Sequence, residues 1–420
     1  MKNLLLLLLC INQCLIAQDT AYARTVIKKL SSEDFSGRGY TNSGHQKASN
    51  YISTEFKNIG LTPLTKNYKQ FFPVTANVFP DQMTISIDKK SLIPGLDFLV
   101  HPSCPSINGK FELVWLNEKI VGNKKKMSKF VQSNLSNKFI IVDKQDIKDK
   151  SIHEFLDNMI HNPFNAKGII FIEDEKLTWG ASTKQFSFPI VYLNRTEINT
   201  KSKFISLQIN AFLEDDLTGE NVIGYLKNDK NPNKFIILSA NYDHIGMMGS
   251  NTIFKGSNYH ASGVAMLLDL AKYYKQHLNE LNYSIVFVAF SGEKLGQLGS
   301  KYFLNNPLIP NDAIKFALNL SSIGNGEQGL SIMNAKQEIE SFLYLKNINI
   351  EKKYLMIVNE YEGNIKSAES SFTAFKIPSI SFLTLSRKNF YNDLFDKPAN
   401  LSLVEYQDCF FITKDFLNQL

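Results

Sequence analysis

The spacing of apolar and polar positions changes twice along this chain, and the three stretches it defines predict different elements. Over about residues 21–72 the period is helical. Tyr22, Val26, Ile27 and Leu30 share one face, and beyond the turn Ser36-Gly-Arg-Gly39 a second face runs through Ala48, Tyr51, Ile52, Phe56 and Ile59. Over about 94–213 the apolar runs shorten to strand length, at 111–115, 139–142, 168–172 and 188–192. Turn-rich segments and one helical piece at about 153–160 separate them. From about Asn221 onward, continuous apolar strands alternate with amphipathic helices, as a sheet covered on both faces requires. Those strands are 235–239, 283–290, 314–320 and 380–383, and a helix with Val264, Leu267, Leu268, Ala271 and Tyr274 on its inner face lies between the first two.

Composition adds bounds to this pattern. A length of 420 with 44% hydrophobic residues suits a globular protein of about two domains. Met1-Lys-Asn, the run Leu4 to Leu9 and the small residue Ala17 have the form of a secretory signal cleaved near Ala17. The mature chain is therefore expected to be exported, to the periplasm or the cell exterior, and no further apolar segment is long enough to span a bilayer. Cys104 and Cys409 then remain, and so wide a separation suits two buried thiols better than a bridge. The net charge of +6 comes from scattered residues, and the one dense cluster, Lys124 to Lys129, reads as a solvated face. No nucleic-acid footprint is expected.

Ligand sites in such sheets form beyond the carboxyl ends of the strands. Asp243-His244, Ser291-Gly-Glu293 and Ser321-Ser322 follow three of the predicted strands. Their order and local sequence resemble the di-zinc exopeptidases of the bacterial leucyl aminopeptidase, aminopeptidase Y and glutamate carboxypeptidase type. The motifs are Asp243-His-Ile-Gly246, Ala261-Ser-Gly263, Phe287-Val-Ala-Phe-Ser-Gly-Glu293, Leu298-Gly-Ser-Lys-Tyr-Phe303 and Asn306-Pro307. The resemblance implies an α/β fold, a mostly parallel sheet sandwiched by helices, with an inserted β-rich protease-associated-like domain. The expected divisions are a signal peptide 1–17, a helical N-terminal part 18–93, the insert 94–215 and the zinc-exopeptidase-like domain 216–420.

The chemistry implied by that family is two zinc ions bridged by one carboxylate, each also held by a carboxylate and an imidazole, with a neighbouring Glu as general base. The first His ligand matches His244, preceded by Asp243, and the general base matches Glu293. The bridging Asp falls at Tyr259 and the ligand Glu at Lys294. The next Asp falls at Ser321, and the last His, in Phe390-Tyr-Asn-Asp-Leu-Phe-Asp396, at Asn392 or, with a one-residue shift, at Tyr391. All 7 histidines lie at or before His277, so the final third supplies no imidazole.

His244 is thus the one family ligand retained, and no metal is expected. The resemblance to an aminopeptidase family leaves activity open, with Glu293 idle at the general-base position in the favoured reading. That reading is a pseudo-peptidase whose cleft, lined by Asp243, His244, Lys294, Tyr259, Ser321 and Asn392, holds a peptide or protein. The alternative is an active zinc exopeptidase using Asp243, His244, His260 and Glu293 as substitutes, with zinc as cofactor. A third is metal-free chemistry at Ser321 or Ser322 with His244 as base. Two local expectations follow: His244 and Glu293 form a hydrogen-bonded pair, and Lys294 pairs with Glu293 and Asp243 in place of the missing metal charge.

Overall fold

The computed structural model describes residues 20–420 except 146 and 364, so the leader expected at 1–17 lies outside the described residues. Among the described residues, nine strands form one sheet. They are β1 (Thr62–Pro63), β2 (Lys69–Val78), β3 (Phe212–Leu226), β4 (Phe235–Asn241), β5 (Ser284–Phe290), β6 (Ile314–Ser322), β7 (Leu330–Met333), β8 (Val358–Glu360) and β9 (Ser379–Thr384). The order is β1-β3-β5-β4-β6-β9-β7-β8, with β2 also paired to β3. The centre, β5-β4-β6-β9, is parallel, and antiparallel pairs flank it at β3/β5 and β9/β7.

Every residue of β4 and β5 is buried, which is why their sequences read as unbroken apolar runs. On one face the sheet meets helices α1 (Thr20–Leu30), α2 (Gly44–Ile59), α3 (Gly263–His277) and the C-terminal helix Tyr406–Leu417 in one core. On the other, Phe303, Leu304, Ala368 and Phe372, from helices Leu298–Asn305 and Ala368–Ala374, pack on Ile237, Val286, Val288 and Ala317. This is the α/β sandwich that the sequence pattern predicts. Because the central strands run the same way, the segments after β4, β5, β6 and β9 emerge at one edge.

A second sheet of eight strands has its own two cores. Its strands Ile107–Leu116, Lys138–Val142, Gly168–Glu173 and Ile190–Asn194 run parallel, and helices Lys124–Val131 and Lys150–Asp157 accompany them. The expected boundaries at 93 and 215 both move. The lead-in is helical only as far as Ile59, after which β1 and β2 join the central sheet. Thr84–Ile87 and Lys90–Ser91 already belong to the second sheet, whereas Phe212–Leu226 is one long strand of the first. Alternate burial in β2 and the solvated charges of Glu214, Asp215 and Asp216 in β3 hide both strands from a search for continuous apolar runs.

The two sheets meet beside the strand tips. Trp179 stacks on Phe254, with ring centroids 5.0 Å apart, and its backbone N–H donates to the Asn392 carbonyl at 2.9 Å. Cys104 and Cys409 are free, buried thiols in separate cores.

Candidate functional site

Close backbone packing places the site. A Cβ on Gly263 would stand 2.1 Å from the Leu320 carbonyl oxygen, so only glycine lets the start of α3 press against β6. The preceding segment is pinned to the same strand end, where the Ile323 and Gly324 N–H groups donate to Ser262 Oγ (2.8 Å) and Asn258 Oδ1 (2.9 Å). The Asp396 carboxylate accepts the N–H groups of Asn258 (2.7 Å) and Tyr259 (3.0 Å). The Tyr259–His260 peptide is cis.

Arg38 fastens the N-terminal turn to this assembly. Its guanidinium is fully buried and donates to four carbonyls: Tyr242 (2.7 Å), Leu30 (2.8 Å), Lys255 (2.8 Å) and Gly256 (2.6 Å). Burial lowers its pKa to about 10, and Asp396 and Asp243 oppose the shift.

Two imidazoles occupy the centre. His244 Nδ1 lies 3.1 Å from the Phe254 carbonyl, and His260 Nδ1 lies 2.9 Å from the Ser321 carbonyl, so each Nδ1 carries the proton and each Nε2 is an acceptor. Both Nε2 atoms are buried without a partner, and the rings stand 6.4 Å apart. Burial, then the charge of Lys294, holds both pKa values well below the ordinary histidine range.

The acids are shifted the other way. Burial raises Asp243 to about 6 despite the Glu293 N–H that it accepts at 3.3 Å, and its Oδ2 is unpartnered. Burial raises Glu293 to about 8, with Asp243 and Glu369 adding to the rise and Lys294 opposing it. Glu293 is therefore largely protonated at neutral pH.

A cavity of about 170 Å³ opens in front of β6 and β9, lined in part by Tyr259, His260, Glu293, Lys294, Ser321 and Tyr391. Asp243 and His244 lie behind it against a smaller void that Lys294 also lines. The residues singled out by sequence thus converge, except at the C-terminal loop. Tyr391, not Asn392, lines the cavity. Asn392 has φ 52°, and its carbonyl is turned to Trp179.

Both expected pairings are corrected. His244 turns its N–H to a backbone carbonyl instead of Glu293, because the Phe254 loop folds directly against it. Lys294 makes no ion pair among the described residues; its ammonium sits 4.6 Å over the Tyr391 ring and 3.5 Å from Tyr391 Oη. The arrangement of Ser321 or Ser322 with His244 as base does not form either, since His244 Nδ1 faces the Phe254 carbonyl and its Nε2 has no partner.

Sequence reasoning missed Arg38, Ser367 and the role of Asp396. Ser367 Oγ receives the side-chain amides of Asn241 (2.8 Å) and Asn319 (3.1 Å), which rise from neighbouring strands. A cation inside the turn Ser36-Gly-Arg-Gly39 was the one available signal for Arg38.

Two zinc ions do not fit this donor set. Among the described residues, no group of three or more His, Cys, Asp or Glu side chains converges to hold a cation. The positions expected to supply carboxylates present a phenol, an ammonium and a hydroxyl, and an ammonium repels a metal ion.

Residues 221–417 match the sequence model of Peptidase family M28. Aminopeptidase YwaD of Bacillus subtilis (strain 168) is 25% identical over 198 residues, 45% of this chain and 39% of the relative. A probable zinc metalloprotease of Pyricularia oryzae is 31% identical over 107 residues, 25% of this chain and 21% of the relative. The matched part therefore spans well under half the length of either relative. Among solved structures, BSAP, a zinc aminopeptidase from Bacillus subtilis, superposes with a TM-score of 0.70 at 17% identity, covering 96% of this chain and 95% of that one. The aminopeptidase of Aneurinibacillus sp. strain AM-1 gives 0.65 at 19% identity, covering 96% and 94%. A peptidase M28 precursor from Shewanella amazonensis gives 0.69 at 14%, covering 96% and 93%. At such identities the structural likeness is one of fold. The C-terminal stretch 221–417 is thus similar in sequence to Peptidase family M28, and the whole described chain has the fold of the zinc aminopeptidases it superposes on.

Proposed function

We propose that this chain is an exported, non-catalytic member of its family that binds a peptide or protein ligand without hydrolysing it. The observation that carries the reading is the Lys294 ammonium in the cavity, where the family resemblance expects a ligand carboxylate. At an effective dielectric of ~20, two unit charges ~4 Å apart interact by about 4 kcal/mol, and a divalent ion doubles that repulsion. In this reading the second sheet is the protease-associated-like insert, and the apolar run Leu4 to Leu9 directs export.

A second reading, hydrolysis at a zinc site rebuilt from Asp243, His244, His260 and Glu293, draws on the unpartnered Nε2 atoms and Asp243 Oδ2. One experiment separates the two. Bound zinc and aminoacyl-amide hydrolysis are measured for the mature protein and for a variant carrying Tyr259→Asp, Lys294→Glu, Ser321→Asp and Tyr391→His, with Asn392→His as the alternative fourth change. The proposal expects zinc well below one per chain and no turnover in the unmodified protein. Near-stoichiometric zinc with turnover there would overturn it.

A further inference from the structure

The cavity in front of β6 and β9 is small and rich in donors. Its volume of about 170 Å³ is below the ~300–1,000 Å³ of a drug-sized site and suits a single amino-acid residue. Lys294 and Lys366 bring positive charge to it, and the phenols of Tyr259 and Tyr391 line it. Among the described residues no carboxylate forms an ion pair with Lys294, although Asp243 and Glu293 both feel its charge. Ser367 has both lone pairs filled by the amides of Asn241 and Asn319, which leaves its hydroxyl proton for Glu293. Glu293 is the one carboxyl lining the space among the described residues. The other wall is apolar, formed by Met333, Ile365 and Leu383.

Such a wall-and-charge arrangement matches an anionic group attached to a greasy side chain. We propose that this cavity binds the carboxylate of a single apolar residue, either a peptide's C-terminal end or a free amino acid. Lys294 is its counter-ion, Tyr391 stands beside it as a donor, and Met333 and Leu383 face its side chain. The inference rests on the binding role proposed above and gives it a direction: the negatively charged end of the ligand enters. An ammonium–carboxylate contact in a partly buried site is a charge-assisted hydrogen bond, roughly twice as strong as a neutral one, so an amide in its place binds more weakly.

The test titrates the full mature chain with N-acetyl-leucine, leucine and N-acetyl-leucinamide, followed by calorimetry. N-acetyl-leucine is expected to bind saturably, and N-acetyl-leucinamide at least ~10-fold more weakly. Lys294→Met should erase the difference between acid and amide, and Tyr391→Phe, a change that conserves the ring, should narrow it. Tighter binding of N-acetyl-leucine than of leucine supports a peptide end, and the reverse supports a free amino acid. Equal affinity for acid and amide, or no binding of any of the three, overturns the carboxylate inference and leaves the broader binding role standing. Zinc-dependent turnover in the aminoacyl-amide assay of the unmodified protein would instead sink that broader role.

Discussion

Arg38 and Lys294 both depress the basicity of His244 and His260, yet their surroundings differ in kind. Arg38 spends its guanidinium on four backbone carbonyls drawn from three separate segments. Lys294 has one phenol beside it and a cavity in front of it. A cation with four of its five donors taken by the backbone braces the fold, whereas one with free donors is available to a ligand. The difference separates the scaffold, which Arg38 braces, from the cavity, which Lys294 charges.

The largest effect that would break this comparison is at Arg38. Arg38→Met leaves four buried carbonyls without donors and should lower the unfolding free energy by roughly 3–5 kcal/mol. Urea denaturation measures it, and a loss under ~1 kcal/mol would remove Arg38 from the scaffold.

A smaller effect concerns protonation beside Lys294. Glu293 has an ordinary value of 4.5 and is raised to about 8 in the folded chain, so between those values the folded state keeps a proton that the unfolded state has lost. Stability attributable to Glu293 therefore falls as pH rises through that window. Asp243 and Asp396 act with the same sign up to about 6, and the depressed histidines His45, His101, His244 and His260 act with the opposite sign around their ordinary 6.5. Glu293 is therefore read from the difference between the unmodified protein and Glu293→Gln, a slope of at most ~1.4 kcal/mol per pH unit. Urea midpoints between about pH 7 and 8 should fall more steeply with pH in the unmodified protein than in Glu293→Gln. An identical slope in both would show that Glu293 is ionised throughout.

The smallest effect is expected at Lys294 itself. Without an ion pair to break, Lys294→Met should shift the unfolding free energy by less than ~1 kcal/mol, far below the change at Arg38. A shift comparable to Arg38 would mean that Lys294 also serves the scaffold.

The same division explains what the sequence made legible. β4, β5 and β6 are buried on both faces and announce themselves as apolar runs, and the residues just past their ends are found by counting. Asp243, His244, Glu293, Lys294 and Ser321 were located in this way. β2 and the first half of β3 alternate or carry charge, and Pro73 interrupts the run, so periodicity alone did not find them. Contacts between distant segments were the least visible. The choice between Tyr391 and Asn392 depends on Trp179, more than 200 positions earlier, holding the Asn392 carbonyl. Likewise, whether Lys294 pairs with an acid depends on where Tyr391 places its ring.

The position of the Lys294 ammonium also ranks substitutions on the proposed metal-free reading. While that charge stands in the cavity, a carboxylate placed at residue 259 or 321, or an imidazole placed in the C-terminal loop, adds a ligand beside a fixed repulsion. Removing the charge at residue 294 is then the change on which the effect of the others depends.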